Sequence, residues 1–292
     1  MFWIHGGGNT SGHKDFYNFS ELVKRKDVIV VSSNYRLGPL GFFTHPAIQD
    51  FNSGIDKTSN FGILDIVLAL KWVNENIAAF GGDPNNITIF GESAGGHNVF
   101  SLLVTQQAKG LFHKAISQSG YTKSSSLQDA YKSQNFNGEG ISDSWTILNN
   151  IIVEKNLANN LSEANMFQSN SSKEVLRKIL YETNAQDLVN LYGDVFEIPL
   201  LTNDGVVIPE IGLKDALRSE KYLNQVPTIA GSNKDEIKLW LGFSKYFIET
   251  NSSFLYRSIG IPRVQIKDEE KYQFYNEIRS KGWQLRGVQE PL

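Results

Sequence analysis

Apolar positions along the chain follow two alternating periods. Short apolar or β-branched runs, Met1 to Ile4 (MFWI), Asp27 to Ser33 (DVIVVSS), Asn86 to Phe90 (NITIF), His113 to Ser119 (HKAISQS) and Val226 to Gly231 (VPTIAG), predict strands. Between them lie a polar, helix-compatible stretch from Phe16 to Lys26 and a strongly apolar helix over Gly62 to Phe80. In that helix Ile63, Ile66, Val67, Leu70, Trp72, Val73 and Ile77 recur at three-to-four spacing, and Gly81-Gly82-Asp83-Pro84 stops it with turn chemistry. A further helix is expected from Ala94 to Gln107, with Val99, Leu102 and Leu103 inward. Strands alternating with helices at these spacings predict the α/β class, a mainly parallel central sheet with helices on both faces.

The pattern changes at Tyr121. From there to Tyr192 the chain is rich in Ser, Asn and Lys, with helical patches at Ser144 to Lys155, Ser172 to Tyr181 and Ala185 to Tyr192. This reads as an inserted helical cap region, 121–192, within one domain. An aromatic-rich stretch and charged helices follow Glu236. No internal repeat or low-complexity linker marks a second domain.

Composition narrows the function classes. The 292 residues are 40% hydrophobic and 12% aromatic, sufficient for a sizeable core. No apolar run approaches the roughly 18 residues that a membrane span needs. A net charge of −3 with scattered Lys and Arg gives no basic footprint for nucleic acid. Zero cysteines exclude disulfides, thiolate metal sites and cysteine nucleophiles, and leave the compartment open.

Two glycine-rich motifs carry the chemistry. Gly91-Glu92-Ser93-Ala94-Gly95-Gly96 contains the G-x-S-x-G pattern between a predicted strand and a predicted helix. Alone the pattern is weak, and a packing turn would also use it. The strand-turn-helix setting is the one in which a serine is held on a tight turn with Oγ projecting past the strand end. His5-Gly6-Gly7-Gly8 directly follows the first strand, where glycines let backbone amides turn inward to bind an oxyanion. A phosphate loop is the competing reading, but neither a Walker lysine nor a complete dinucleotide fingerprint accompanies it.

These motifs, together with Asn34-Tyr35-Arg36, Asn60-Phe61-Gly62-Ile63-Leu64-Asp65, Phe80-Gly81-Gly82-Asp83-Pro84 and Gln118-Ser119-Gly120, resemble the type-B carboxylesterase and cholinesterase family of α/β-hydrolases. Thr202-Asn203-Asp204-Gly205 and Gly231-Ser232-Asn233-Lys234-Asp235-Glu236 are similar to later landmarks of that family. The resemblance implies the α/β-hydrolase fold, with Ser93 as nucleophile, Gly7, Gly8 and Ala94 as oxyanion-hole donors and Glu236 as triad acid. Asp235 is the fallback acid, because Ile237 stands where the family often has Gly. The resemblance also implies a buried structural ion pair between Arg36 and Asp65, whose breakage is expected to cost about 3–5 kcal/mol. It implies a small-molecule ester substrate and no metal or organic cofactor.

In the family the catalytic histidine follows the acid. Here the histidines are His5, His13, His45, His97 and His113, all upstream of Glu236. The expectation is therefore an incomplete α/β-hydrolase domain spanning 1–292, lacking the catalytic histidine and nearly inactive by itself. His97, one helical turn after Ser93, is the resident histidine placed to substitute. Leu239 to Phe243, Tyr246 and Phe247 would either line a substrate gorge or form core. The first reading is a serine carboxylesterase. A non-catalytic cholinesterase-like interaction module, or a lipase or thioesterase using the same machinery, remains the alternative, and the oligomeric state is left open.

Overall fold

The structure, a computed structural model, describes residues 1–132, 143–192, 201–251 and 263–291. Its central sheet comprises β1 (Phe2–Ile4), β2 (Val31–Ser32), β3 (Thr88–Glu92), β4 (Lys114–Gln118) and β5 (Thr228–Gly231), in the order β2-β1-β3-β4-β5. Every pairing is parallel, with Phe2 opposite Val31 and Ile89, Ile89 opposite Ala115, and Ala115 opposite Thr228. The chain steps from β1 to β2 in one direction, then crosses back to β3 on the other side of β1. The C-terminal ends of β1 and β3 consequently flank a topological switch point, where open α/β sheets bind ligands.

One face of the sheet carries the main core. Phe2, Ile4 and Ile89 pack with α1 (Phe61–Asn76) and α2 (Ala94–Val104). Helix α1 buries Ile63, Ile66, Val67, Leu70 and Val73, the predicted stripe, and Gly81 at φ 84° ends the short turn that follows it. Trp72 departs from expectation. It lies about 200° around the helix from Leu70, is 50% exposed, and packs on Phe80. Helix α2 is buried at every residue from Ala94 to Val104. On the opposite face Trp3 meets Phe90, Tyr17 and Phe19 at centroid distances of 4.9, 5.2 and 5.2 Å. The β-branched run expected over Asp27 to Ser33 pairs only at Val31 and Ser32, because β1, its neighbour, is itself three residues long.

In the region following Tyr121 the described helices are the short Leu127–Tyr131, then α3 (Ser144–Glu154), α4 (Leu161–Asn170), α5 (Lys173–Tyr181) and α6 (Ala185–Tyr192). Side chains of Asp143, Asn160 and Ser172 cap the first three of the numbered ones. Helix α4 went unpredicted because it buries only Ala164 and Gln168, too few to print a helical period. Ile147, Leu148, Ile151 and Ile152 pack on Phe43 and Ala47, a second core beside the sheet's. Beyond β5 come an antiparallel pair, β6 (Ile248–Asn251) and β7 (Arg263–Ile266), and α7 (Glu269–Gln284).

Two motif clusters prove structural. Buried Asp204 accepts from the Val206, Val207 and Ile208 amides at 3.0, 2.9 and 3.1 Å, from Asn60 Nδ2 at 2.8 Å and from the Thr58 hydroxyl. Arg36 and Asp65 form the expected pair, with Nε and Nη2 donating at 2.8 and 2.7 Å. The pair is not buried: the side chains are 50% and 23% exposed. Water retains much of the solvation of both ions, so the pair contributes on the order of 1 kcal/mol rather than the buried-pair figure. Among the described residues no helix is long and apolar enough to cross a membrane.

Candidate active site at the strand ends

Ser93 sits between β3 and α2 with φ 57° and ψ −122°, a backbone conformation that an L-residue adopts only under constraint. Its amide donates to Gln118 O at 2.8 Å and its carbonyl accepts from His97 N at 3.0 Å, so strand β4 and helix α2 together hold the turn. A Cβ on Gly91 would stand 2.5 Å from the Gly95 carbonyl carbon, and one on Gly95 would strike the Ile4 carbonyl. The glycines thus allow β1, β3 and α2 to cross in contact. Of the non-glycine residues with positive φ among those described, Asn9, Ser93 and Ser119 follow β1, β3 and β4; the fourth, Asn156, lies elsewhere. Strain is concentrated at one end of the sheet.

The loop after β1 runs beside this serine. A Cβ on Gly6 would lie 3.2 Å from Ser93 Cβ. Gly7 at φ 104° and Gly8 at φ 65° turn the backbone, and the Gly7 carbonyl accepts from Thr10 N and Ser11 N at 3.1 and 2.9 Å. Among the described residues no hydrogen-bond acceptor is paired with the Gly7, Gly8 or Ala94 amide. The loop is held from beneath by residues that the sequence reading gave no role. The single Tyr35 hydroxyl proton is shared between His5 O at 2.8 Å and Asn9 Oδ1 at 3.0 Å, and the Asn9 and Asn98 amides bond reciprocally. Asn98 belongs to α2, so the glycine loop and the serine turn are tied together.

Glu236 lies in the loop after β5. Its Oε2 accepts from Ser119 Oγ at 2.9 Å and from Asn233 N at 2.7 Å; Oε1 has no hydrogen-bond partner among the described residues. Asp235, the fallback, is exposed and engaged by Asn276 at 2.7 Å and Lys238 at 3.3 Å. Ile237 adopts ordinary helical angles, φ −84° and ψ −13°, so the loop does not require the glycine that the family often has there. Glu92, beside Ser93, is half-buried. Burial raises its carboxyl above the usual range, and the charge of Glu236 adds to the shift. Glu92 and Ser119 were visible as motif residues, but only their tertiary neighbours suggest what they touch.

The histidines occupy other positions. Among the described residues none bonds to Ser93 Oγ or Glu236. His97 is fully buried against Tyr121, ring centroids 4.0 Å apart, and burial pushes it down to about 3. His5 stacks on Tyr35 and its Nδ1 lies 2.9 Å from Gly6 O. His45 caps the short helix at Pro46, His113 faces Ile87 N, and exposed His13 accepts from Asp15 N. The aromatics after the acid divide. Leu239, Trp240, Phe243 and Tyr246 are exposed, and Trp240 also borders, with Ile237, Leu241, buried Phe247, Tyr275, Arg279 and Trp283, a pocket of about 390 Å³. Among the described residues no group of three His, Asp or Glu side chains converges on a metal position.

Known proteins resemble this chain over most of its length. A profile of the carboxylesterase family matches residues 1–276. Carboxylesterase 1D of Rattus norvegicus is 35% identical over 249 residues, 81% of this chain and 39% of the relative. The para-nitrobenzyl esterase of Bacillus subtilis is 48% identical over 132 residues, 44% of this chain and 26% of the relative. The chain thus spans well under half the length of these curated relatives. Among solved structures, a PNB esterase at 31% identity superposes with a TM-score of 0.62, covering 86% of this chain and 46% of that one. A carboxylesterase of Geobacillus stearothermophilus gives 0.66 at 27% identity, covering 99% and 57%. By sequence, by fold and by motif order, the chain belongs to the carboxylesterase family.

Proposed function

We propose that these residues form the nucleophile, oxyanion hole and acid of a serine carboxylesterase. The observation that carries the reading is the strained Ser93, facing a loop whose amides have no acceptor among the described residues. Ser93 Oγ attacks the ester carbonyl carbon while a base takes its proton. The Gly7, Gly8 and Ala94 amides receive the developing oxyanion, as preorganised donors at a helix N-terminus and a glycine turn do. Collapse of the tetrahedral intermediate expels the alcohol and leaves an acyl-enzyme on Ser93, which water then hydrolyses.

The base is a histidine outside the five of residues 1–292. It would be oriented by the open Oε1 of Glu236, with Ser119 and Asn233 fixing the other oxygen. His97 is the weaker candidate, since a group that titrates near 3 holds little affinity for the serine proton at neutral pH. The pocket at Ile237, largely apolar but for Arg279, suits an apolar acyl or alcohol group. A non-catalytic interaction module would have no use for strain held at Ser93.

Fluorophosphonate labelling of the complete translated protein should modify Ser93, and Ser93→Ala should lose both label and p-nitrophenyl acetate hydrolysis. Residues 1–292 alone should turn over the ester far more slowly. Full turnover by residues 1–292 that disappears with His97→Ala would overturn the assignment of the base.

A further inference from the structure

We propose that Asn276 and Ser280 are positioning residues that set the catalytic acid by clamping the chain on both sides of Glu236. The inference rests on the esterase reading above.

Glu236 lies on a loop whose neighbours Asn233, Lys234 and Asp235 are exposed. Bonds from Ser119 and Asn233 hold its carboxylate, but they do not restrain the backbone beyond it. Helix α7 does. Asn276 Nδ2 donates to Asp235 Oδ1 at 2.7 Å, and Ser280 Oγ accepts from Ile237 N at 3.1 Å while donating to Asn276 Oδ1 at 3.2 Å. The residues immediately before and after Glu236 are therefore bonded to two side chains one helical turn apart.

The composition of α7 argues that this is its purpose. Its buried positions are Tyr272, Asn276 and Ser280, spaced four apart, where an amphipathic helix ordinarily presents apolar residues. Asn276 and Ser280 are 2% and 3% exposed. Burying such groups is costly unless their hydrogen bonds are made, and a helix serving only as packing would gain more from Leu or Ala. Tyr272 Oη adds a third contact, donating to Lys238 O at 3.3 Å. The bond from Asn276 is also the leading cause that holds the Asp235 carboxyl below its usual range.

A triad acid displaced by about 1 Å misaligns the imidazole it orients, which lowers turnover more than substrate binding. In the complete translated protein, Asn276→Ala and Ser280→Ala should each lower kcat for p-nitrophenyl acetate by roughly 10- to 100-fold, with KM changed by less than about twofold. Ser280→Thr retains the hydroxyl and should restore kcat to within about threefold of wild type. Asp235→Ala removes the exposed acceptor while leaving every side chain of α7 in place, and should lower kcat in the same direction if the helix variants fail to fold. Asn224→Ala, which removes buried bonds to Leu102 O and Thr105 O at the other end of α2, should reduce stability while leaving kcat per folded molecule unchanged. If wild-type Ser93 takes the fluorophosphonate label and Asn276→Ala, Ser280→Ala and Asp235→Ala all turn over like wild type, the clamp is wrong and the esterase reading survives. If Ser93 neither labels nor supports hydrolysis, both fall.

Discussion

Asn9, in the glycine loop after β1, and Asn98, on the helix that Ser93 begins, are joined by two reciprocal amide bonds of 3.2 and 2.9 Å. Both side chains are fully buried, so the pair couples the two halves of the site with little freedom to shift. Asn98→Ala strands the Asn9 amide in the interior and should cost about 1–3 kcal/mol of stability. Released donors should also lower kcat by about tenfold with KM nearly constant, because an oxyanion hole acts in the transition state. Denaturant titration and steady-state kinetics on the same preparations check both.

Ser93 is held at φ 57° by its surroundings. Ser93→Gly removes the steric cost, whereas Ser93→Ala removes the hydroxyl and keeps it. The glycine variant should be more stable than the alanine variant by about 1 kcal/mol, although glycine also gains entropy when unfolded. Urea midpoints of the two inactive proteins make the comparison; equal midpoints would argue that the backbone is unstrained.

Glu236→Gln retains an oxygen for Ser119 and Asn233 but loses the charge that stabilises an imidazolium. Turnover should fall by about 10²–10⁴-fold, in line with triad acids elsewhere. Asp235→Asn preserves the acceptor for Asn276 and should cost at least about tenfold less than that. Reversed magnitudes would make Asp235 the acid.

Burial holds His97 at about 3 and His45 at about 4 in the folded chain, against 6.5 as the ordinary value. Between those limits the unfolded chain binds protons that the folded chain does not. Stability is accordingly full above pH 6.5 and lost as the pH falls toward 4, at up to about 1.4 kcal/mol per pH unit for each group. His97→Phe keeps a ring against Tyr121 and should show a smaller drop in urea midpoint between about pH 7 and about pH 5. An equal drop would mean that His97 does not contribute.

The two structural clusters should respond differently to mutation. Arg36→Met keeps the stem over Phe61, where the guanidinium now sits 5.1 Å from the ring centroid, and should cost about 1 kcal/mol or less, shrinking further in high salt. Asp204→Ala leaves three backbone amides and Asn60 without their acceptor and should cost about 3–5 kcal/mol, nearly independent of salt. Chemical denaturation at low and high salt separates the cases.

The alternation of short apolar runs with three-to-four-period helices was enough to specify a parallel α/β sheet, because burial on two faces and the helical period are printed residue by residue. Motif order was enough for the family and for naming Ser93, Gly7, Gly8, Ala94 and Glu236 as candidates. Helix α4 and the outward face of Trp72 were not legible, since what a helix packs against is not written in its own period. Nor was the exposure of the Arg36–Asp65 pair, which depends on how much water reaches it.

What the tertiary structure alone decided is which distant residues serve the candidate site. Asn9 and Asn98 are 89 residues apart, Ser119 and Glu236 117, and Asp235 and Asn276 41. Single asparagines and serines carry no periodic signal, and their roles arise only where folding brings strand ends, loops and helices together and puts these side chains within hydrogen-bonding range.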